Sequence, residues 1–314
     1  MPLTRRSLLA TAVAGTAWCL LPAAPGLAAA PGLSLDPLGE GLWLVKGAAA
    51  PIVIADSGRD LLLVDTGDAA GVSALRALLA RSFRGRRVAY VLNTHWHWDR
   101  TGGNDAFAAE GAELIAHENT RLWLSTEVRS AAEGRIYPPR PSKARPNQTF
   151  FQGSKTLEFG GQTLEYGHMP QAHTDGDLYV RFPRQDVLVA GDVVAGARYP
   201  SVDAATNGWL GGMLTGLKTL SARCGEGTRV IGAEARPIGR SGIRAQQELC
   251  FDVLTRIGQS YYKGETWAQF LASAPTQGYD ATYGDPARFL RAAYDSAWLH
   301  VNEIRRLGRQ EWIG

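Results

Sequence analysis

Asn93-Thr94-His95-Trp96-His97-Trp98-Asp99-Arg100-Thr101-Gly102-Gly103-Asn104 decides how this chain is read. It follows an apolar run, Val88 to Leu92, that reads as a strand. If the backbone stays extended, alternate side chains share a face: His95, His97 and Asp99 point one way, Trp96 and Trp98 the other. Two imidazoles and a carboxylate converging at a strand end suit a borderline metal ion such as zinc. Gly102-Gly103 permits a tight turn into a following helix. The bland alternative is a polar loop with two solvated histidines. Only six histidines occur in 314 residues, so two at this spacing, in step with an Asp and a glycine pair, favour the metal reading.

Working outward, Leu42 to Val45, Ile52 to Ala55 and Leu61 to Val64 are short apolar runs separated by turn residues, hence successive strands. Ala69 to Ser82 has helical spacing, Thr101 to Glu110 starts a helix, Leu114 to Ala116 is a strand and Glu118 to Arg129 a helix. Residues 131–147 hold four prolines and no apolar period, which predicts a loop. Thr149 to His168 reads as two strands with a hairpin at Gly160-Gly161; Leu178 to Phe182, Val187 to Ala190 and Val230-Ile231 are further strands, and Met213 to Ser221 is helical. Gly196 to Gly212 is a long irregular loop. Beyond it, Ile243, Cys250, Val253, Leu254, Ile257 and Tyr261 form one helical stripe, and Leu290, Tyr294, Ala297, Val301 and Ile304 a second.

These segments resemble the metallo-β-lactamase superfamily, whose signature is His-x-His-x-Asp after a strand. Leu62-Leu63-Val64-Asp65-Thr66-Gly67 is similar to the family's strand ending in a bracing Asp. Ala172-His173-Thr174-Asp175-Gly176-Asp177 is similar to the segment of its third histidine, and Val189-Ala190-Gly191-Asp192 to that of its bridging aspartate. The likeness covers roughly residues 35 to 237 in order. It implies an α+β fold, a four-layer αβ/βα sandwich; residues 241–314 lie outside the likeness, and their stripes make them a helical C-terminal extension. It also implies a first zinc on His95, His97 and His173 and a second served by Asp99 and Asp192. Two positions depart from the pattern. Arg100 replaces the second histidine of the usual Asp-His pair. Where most members read Pro-Gly-His-Gly, this chain reads Gly232-Ala233-Glu234-Ala235, so Glu234 stands in for the last histidine ligand. One or two zinc ions per chain are both compatible with this set.

The implied chemistry is attack by metal-bound hydroxide on a carbonyl or similar centre, with Asp99 orienting the nucleophile and shuttling its proton. Arg100, Trp98, His168 and Trp209 are candidates for the substrate pocket, with Tyr199 on its rim; His117 reads as structural and His300 as a surface residue. The leading expectation is a hydrolase of a small ester, lactone, thioester or amide. A β-lactamase is one alternative. Another is a metal-binding accessory protein of a periplasmic oxidation system, with little turnover, because exported family members of this look accompany such systems. A glyoxalase-type thioesterase fits less well, since both the Asp-His pair and the final histidine are absent.

Composition agrees with a globular body: 45% hydrophobic, 9% aromatic and 20% charged residues. Thr4-Arg5-Arg6-Ser7-Leu8-Leu9, an Ala-rich apolar run and Ala28-Ala29-Ala30 resemble a twin-arginine signal peptide over residues 1–30, which predicts a periplasmic or secreted protein. The catalytic body would then span residues 31–240 and the helical extension 241–314. The formal charge is +3, and only Arg5 and Arg6 lie in the signal, so the remainder is close to neutral and nucleic acid is excluded as a main partner. No later stretch is long and apolar enough for a membrane span. The striped tail is a candidate homo-oligomer contact. Cys224 and Cys250 are either a pair or two free thiols.

Overall fold

Two β-sheets face one another across a shared apolar layer. A computed structural model of the chain describes residues 32–305; the signal expected over residues 1–30 lies outside them. The first sheet has seven strands in the order β1 (Ser34–Gly39), β2 (Leu42–Lys46), β3 (Ile52–Asp56), β4 (Leu61–Val64), β5 (Val88–Leu92), β6 (Glu113–His117) and β9 (Gln148–Phe150). Its first half is an antiparallel meander, and from β4 onward the pairs are parallel. The second sheet orders β10 (Ser154–Phe159), β11 (Gln162–Met169), β12 (Asp177–Phe182), β13 (Val187–Val189) and β14 (Arg229–Ile231), antiparallel except for the last pair.

Alternation along the strands builds the layers. Leu44, Val53, Leu62 and Leu92 face Leu164, Leu178, Val180 and Val189 between the sheets. Ile52, Ile54, Leu61 and Leu63 turn the other way, onto Leu75, Leu78 and Leu79 of α1 (Val72–Ser82). Tyr179, Leu188 and Val230 leave the far face of the second sheet to meet helices there. A strand covered on both faces needs no polar side, which is why these runs are continuously apolar. Each such Leu or Ile contributes roughly 1.5–3 kcal/mol by leaving water. The result is the αβ/βα order that the sequence implied.

The helix expected over Thr101 to Glu110 is two helices, α2 (Trp98–Thr101) and α3 (Asn104–Ala109), broken at Gly102-Gly103. The break is steric: a Cβ on Gly102 would lie 2.3 Å from the Ala69 amide nitrogen, so the chain must pass here without a side chain. Helix α4 (Glu118–Ser125) stops short of Arg129 because residues 128–130 form β7, which pairs with β8 (Arg135–Tyr137) inside the expected loop. Those strands are three residues long and partly exposed, too short to leave a period.

The tail is helical, as its stripes require. Helices α5 (Leu210–Ser221) and α6 (Arg240–Lys263) lie against each other, burying Leu210, Met213, Leu214 and Leu217 with Ile243, Leu249, Val253 and Ile257. Helices α7 (Trp267–Ala272), α8 (Asp280–Tyr283), α9 (Ala287–Trp298) and α10 (Val301–Ile304) complete it. Residues from Gly32 onward form one compact unit. Among the described residues no helix is long and apolar enough to cross a membrane. Cys224 and Cys250 are free, buried thiols; burial pushes Cys224 up to about 11 and Cys250 further.

Candidate metal centre

Beyond Leu92 the chain does not stay extended. Residues 94–96 bend and His97 caps α2, so the alternate-face expectation fails for this segment. The bend still brings His95 and His97 together, with ring centroids 4.7 Å apart. His173, in the loop after β11, sets its ring 4.8 Å from both. Asp192 arrives from the turn after β13. The candidate ligand atoms of His95, His97, His173 and Asp192 all lie within 4.8 Å of one another.

Hydrogen bonds on the outer side of each ring decide which nitrogen is free. Thr94 Oγ1 gives its proton to Asp65 Oδ2 at 2.7 Å and lies 3.2 Å from His95 Nδ1, so it accepts from that ring. His97 Nε2 is 3.1 Å from Asp203 Oδ2, and His173 Nδ1 is 2.8 Å from the Ser201 carbonyl. These outer partners all accept, so in each neutral ring the outer nitrogen carries the proton and the inner one a lone pair. His97 Nδ1 and His173 Nε2 then face each other at 3.2 Å, and His95 Nε2 is buried with no hydrogen-bond partner. Two lone pairs this close would repel, so they need a positive charge between them: a proton on His97 Nδ1 in the metal-free protein, or a metal ion that displaces it. Zinc bonds of about 2.0–2.1 Å at tetrahedral angles place nitrogens about 3.3 Å apart, close to the spacing seen. The residues therefore fit a divalent ion.

Charge sets His97 apart from the other two rings. Burial, with His97 nearby, pushes His95 well below its usual range, and burial likewise lowers His173; both are neutral, as metal ligation requires. Burial opposes charge on His97 too, but the Asp203 hydrogen bond and charge, with Asp99 and Asp192, outweigh it and push the ring up to about 9, so the metal-free ring holds a second proton that a bound ion would displace. Burial disfavours the Asp203 carboxylate, yet His97 and Thr206 hold it at about 2. Asp192 is desolvated, but Arg100 and the three histidines hold its carboxyl well below the carboxylate range. His97 and Asp192 keep 17% and 14% of their side-chain surface exposed while His173 keeps 1%, so the cluster opens to solvent on the His97–Asp192 side.

A tier of polar contacts holds this arrangement. Asp65, at a backbone φ of 65°, accepts the Thr94 amide and hydroxyl, each at 2.7 Å. Burial pushes its carboxyl up to about 7 against the pull of Arg100 and these bonds. Trp96, fully buried between the two histidines, donates to Thr206 Oγ1 at 3.1 Å; Thr206 donates to Asp203 Oδ2 at 2.5 Å; and Asp203 holds His97.

The family model of the metallo-β-lactamase superfamily matches residues 47–228, which include every one of these residues. The chain belongs to the metallo-β-lactamase superfamily. It is 46% identical over 161 residues to a hydroxyacylglutathione hydrolase of Polaromonas sp., covering 46% of this chain and 60% of that one. It is 25% identical over 190 residues to a metallo-β-lactamase type 2 of Bacillus sp., covering 56% and 68%. A metallo-β-lactamase from Pontibacter korlensis superposes with a TM-score of 0.57 at 22% identity, over 70% of this chain and 99% of that structure, a likeness of fold. The chain spans between 41 and 68% of the length of the curated relatives it matches.

Within this superfamily frame the two departures have definite places. Arg100 is 1% exposed; its guanidinium ion-pairs with Asp192, reaches Asp65 Oδ2 at 3.4 Å and donates to the Pro51 carbonyl at 3.3 Å. It is turned inward, not into a substrate pocket. Glu234 does not join the cluster. Its Oε2 accepts from the Ala197 amide at 3.4 Å, and its Oε1 lies 3.9 Å from Arg198. Asp99 is half-buried on α2, outside the converging four, and makes no hydrogen bond to the protein among the described residues.

The other pocket candidates are mostly packed away. Trp209 is 5% exposed and stacks on His300 at 3.9 Å, so neither is the rim or surface residue expected. His168 stacks on His117 at 3.7 Å and donates to the Asp175 carbonyl at 2.9 Å. Trp98 sits under Arg135 and Arg140, at 5.5 and 5.1 Å, beside Tyr137. Asp203, Ser201 and Thr206, which orient the ligands, were not singled out in the sequence. They lie in the irregular loop read as a pocket rim, and nothing in its spacing marks them.

Proposed function

We propose that the protein is an exported, zinc-dependent hydrolase of a small ester, lactone, thioester or amide. One observation carries this reading: three inward-turned imidazole nitrogens, one of them buried without a partner, meet beside the Asp192 carboxylate. His95, His97 and His173 would hold the ion, with Asp192 next to it. When bound, such an ion supplies Lewis acidity, polarising a carbonyl and making water acidic enough to give hydroxide near pH 7.

The chain's own groups do the rest. Substrate enters from the His97–Asp192 side. Asp99, with no protein hydrogen bond to hold it, takes the proton of the attacking water and returns it to the leaving group. Asp203 keeps the His97 lone pair turned inward. Arg100 ties up Asp192, one of the two carboxylates that would serve a second ion, and Glu234 is held elsewhere, which supports one ion per chain. The likeness to proteins named metallo-β-lactamase type 2 supports a β-lactam as an alternative substrate. The Arg100–Asp192 pair favours the accessory-protein alternative, because it removes half of a two-ion site.

Metal analysis of the purified protein, followed by ester, lactone, thioester and chromogenic cephalosporin panels, tests this. About one zinc per chain with turnover of an acyl substrate is expected. Zinc without turnover on any panel supports the accessory role, and no bound zinc overturns both.

A further inference from the structure

We propose that the C-terminal helices are part of the scaffold of the metal centre, with Tyr199, Trp209, His300 and Gln246 as positioning residues. This rests on the metal-site reading above.

The outer partners of His97 and His173 both come from one short loop: the Asp203 carboxylate and the Ser201 carbonyl. That loop contains only a single 3-10 turn, at Ala204–Thr206, and no strand. Its backbone bonds run mainly to the ligand segment itself, Asp203 N–H to His173 O at 2.9 Å and Asp175 N–H to Thr206 O at 2.9 Å. Loop and ligand would shift together if nothing outside held them.

Both ends of the loop are held by the tail. At one end Tyr199 stacks on Phe289 of α9, centroids 5.1 Å apart and planes at 14°, and its hydroxyl donates to Asp280 Oδ1 of α8 at 2.6 Å. At the other end Trp209 lies flat on His300, between α9 and α10, at 3.9 Å and 7°. The Asp192 turn is held from the same side. The buried amide of Gln246, on α6, donates to Val193 O at 2.8 Å and accepts from Ala195 N–H at 2.9 Å, pairing with the chain as a neighbouring strand would. Phe289, Asp280, His300 and Gln246 all lie beyond residue 240. The tail thus grips the segments that carry or orient His97, His173 and Asp192.

The test is zinc affinity of the full chain by chelator competition, together with hydrogen exchange of the metal-free protein. His300→Ala and Gln246→Leu are expected to weaken zinc binding about 10-fold, the low end for lost outer partners of a metal ligand. His300→Phe, which keeps the flat stack, is expected to restore it. Tyr199→Phe, which removes one hydroxyl and leaves the ring, serves if His300→Ala fails to fold. In metal-free protein the amides of Ala205, Thr206 and Gly208 should exchange faster in His300→Ala while those of β3 to β5 stay protected. Unchanged affinity and unchanged exchange in the variants overturn the proposal. A wild type that takes up no zinc overturns the metal site instead, and the exchange data then decide the clamp on their own.

Discussion

Each candidate ligand histidine has its outer nitrogen committed to an acceptor, so ring orientation is settled without an ion. Asp203 accepts through its side chain, so a single substitution tests it. Asp203→Asn keeps the shape but lets an amide N–H face His97 Nε2, and zinc affinity measured by chelator competition should fall about 10- to 100-fold. Arg100 is the second sensitive residue. Replacing it with Met leaves Asp192 and Asp65 buried beside each other without a counter-charge, and urea unfolding of metal-free protein should show a loss of about 3–5 kcal/mol. At this scale the sequence was legible where spacing is short. His95 and His97 declare themselves two residues apart, whereas His173 and Asp192 were found only through a family likeness. Asp203 had no signal at all, since its partner is 106 residues away. Glu234 was misplaced for a local reason: it occupies the right stretch, but its side chain reaches Gly196 and Ala197 instead of the cluster.

Elements are joined by contacts that motifs do not encode. His117 at the end of β6 and His168 in β11 stack face to face, linking the two sheets; each donates from Nε2 to a carbonyl, Phe151 O at 2.8 Å and Asp175 O at 2.9 Å. Burial first, then mutual repulsion, lowers His168 to about 4, and burial lowers His117 against the pull of Asp175 and Glu118. A base whose folded pKa is depressed contributes stability above its unfolded pKa of about 6.5 and loses it as pH falls. The melting temperature should therefore drop between pH 6.5 and 4. The loss should reach about 1–2 kcal/mol after discounting for partial exposure, and it should be smaller in His168→Phe. Gly208 is a second junction. A Cβ there would stand 2.0 Å from the His173 carbonyl oxygen, so Gly208→Ala must push the loop off the ligand segment. A clear fall in melting temperature and weaker zinc uptake are expected together. Strand positions were readable because both-face burial makes long apolar runs; the short β7–β8 hairpin and the break at Gly102 were not, because they answer to neighbours far along the chain.

For the whole molecule, the tail is core and not appendage. Ile243, Leu249, Val253 and Ile257 of α6 share one cluster with Leu210, Met213, Leu214 and Leu217 of α5. A chain ending at residue 240 would expose that cluster, so it should be recovered insoluble or as an aggregate in size-exclusion chromatography. Recovery as a folded, zinc-binding monomer would contradict this. Self-association through the tail is better tested by substituting its exposed side chains, Tyr262, Trp298 and Leu299, in the full chain.

The position of His300, well after all four candidate ligands in chain order, also sets a timetable. A ribosome makes His95, His97, His173 and Asp192 long before it makes the ring that lies flat on Trp209. A nascent chain paused anywhere before residue 300 has its full set of ligands but not the last fastening of the loop that aims them. Tight capture of an ion is thereby deferred until residue 300 has been made.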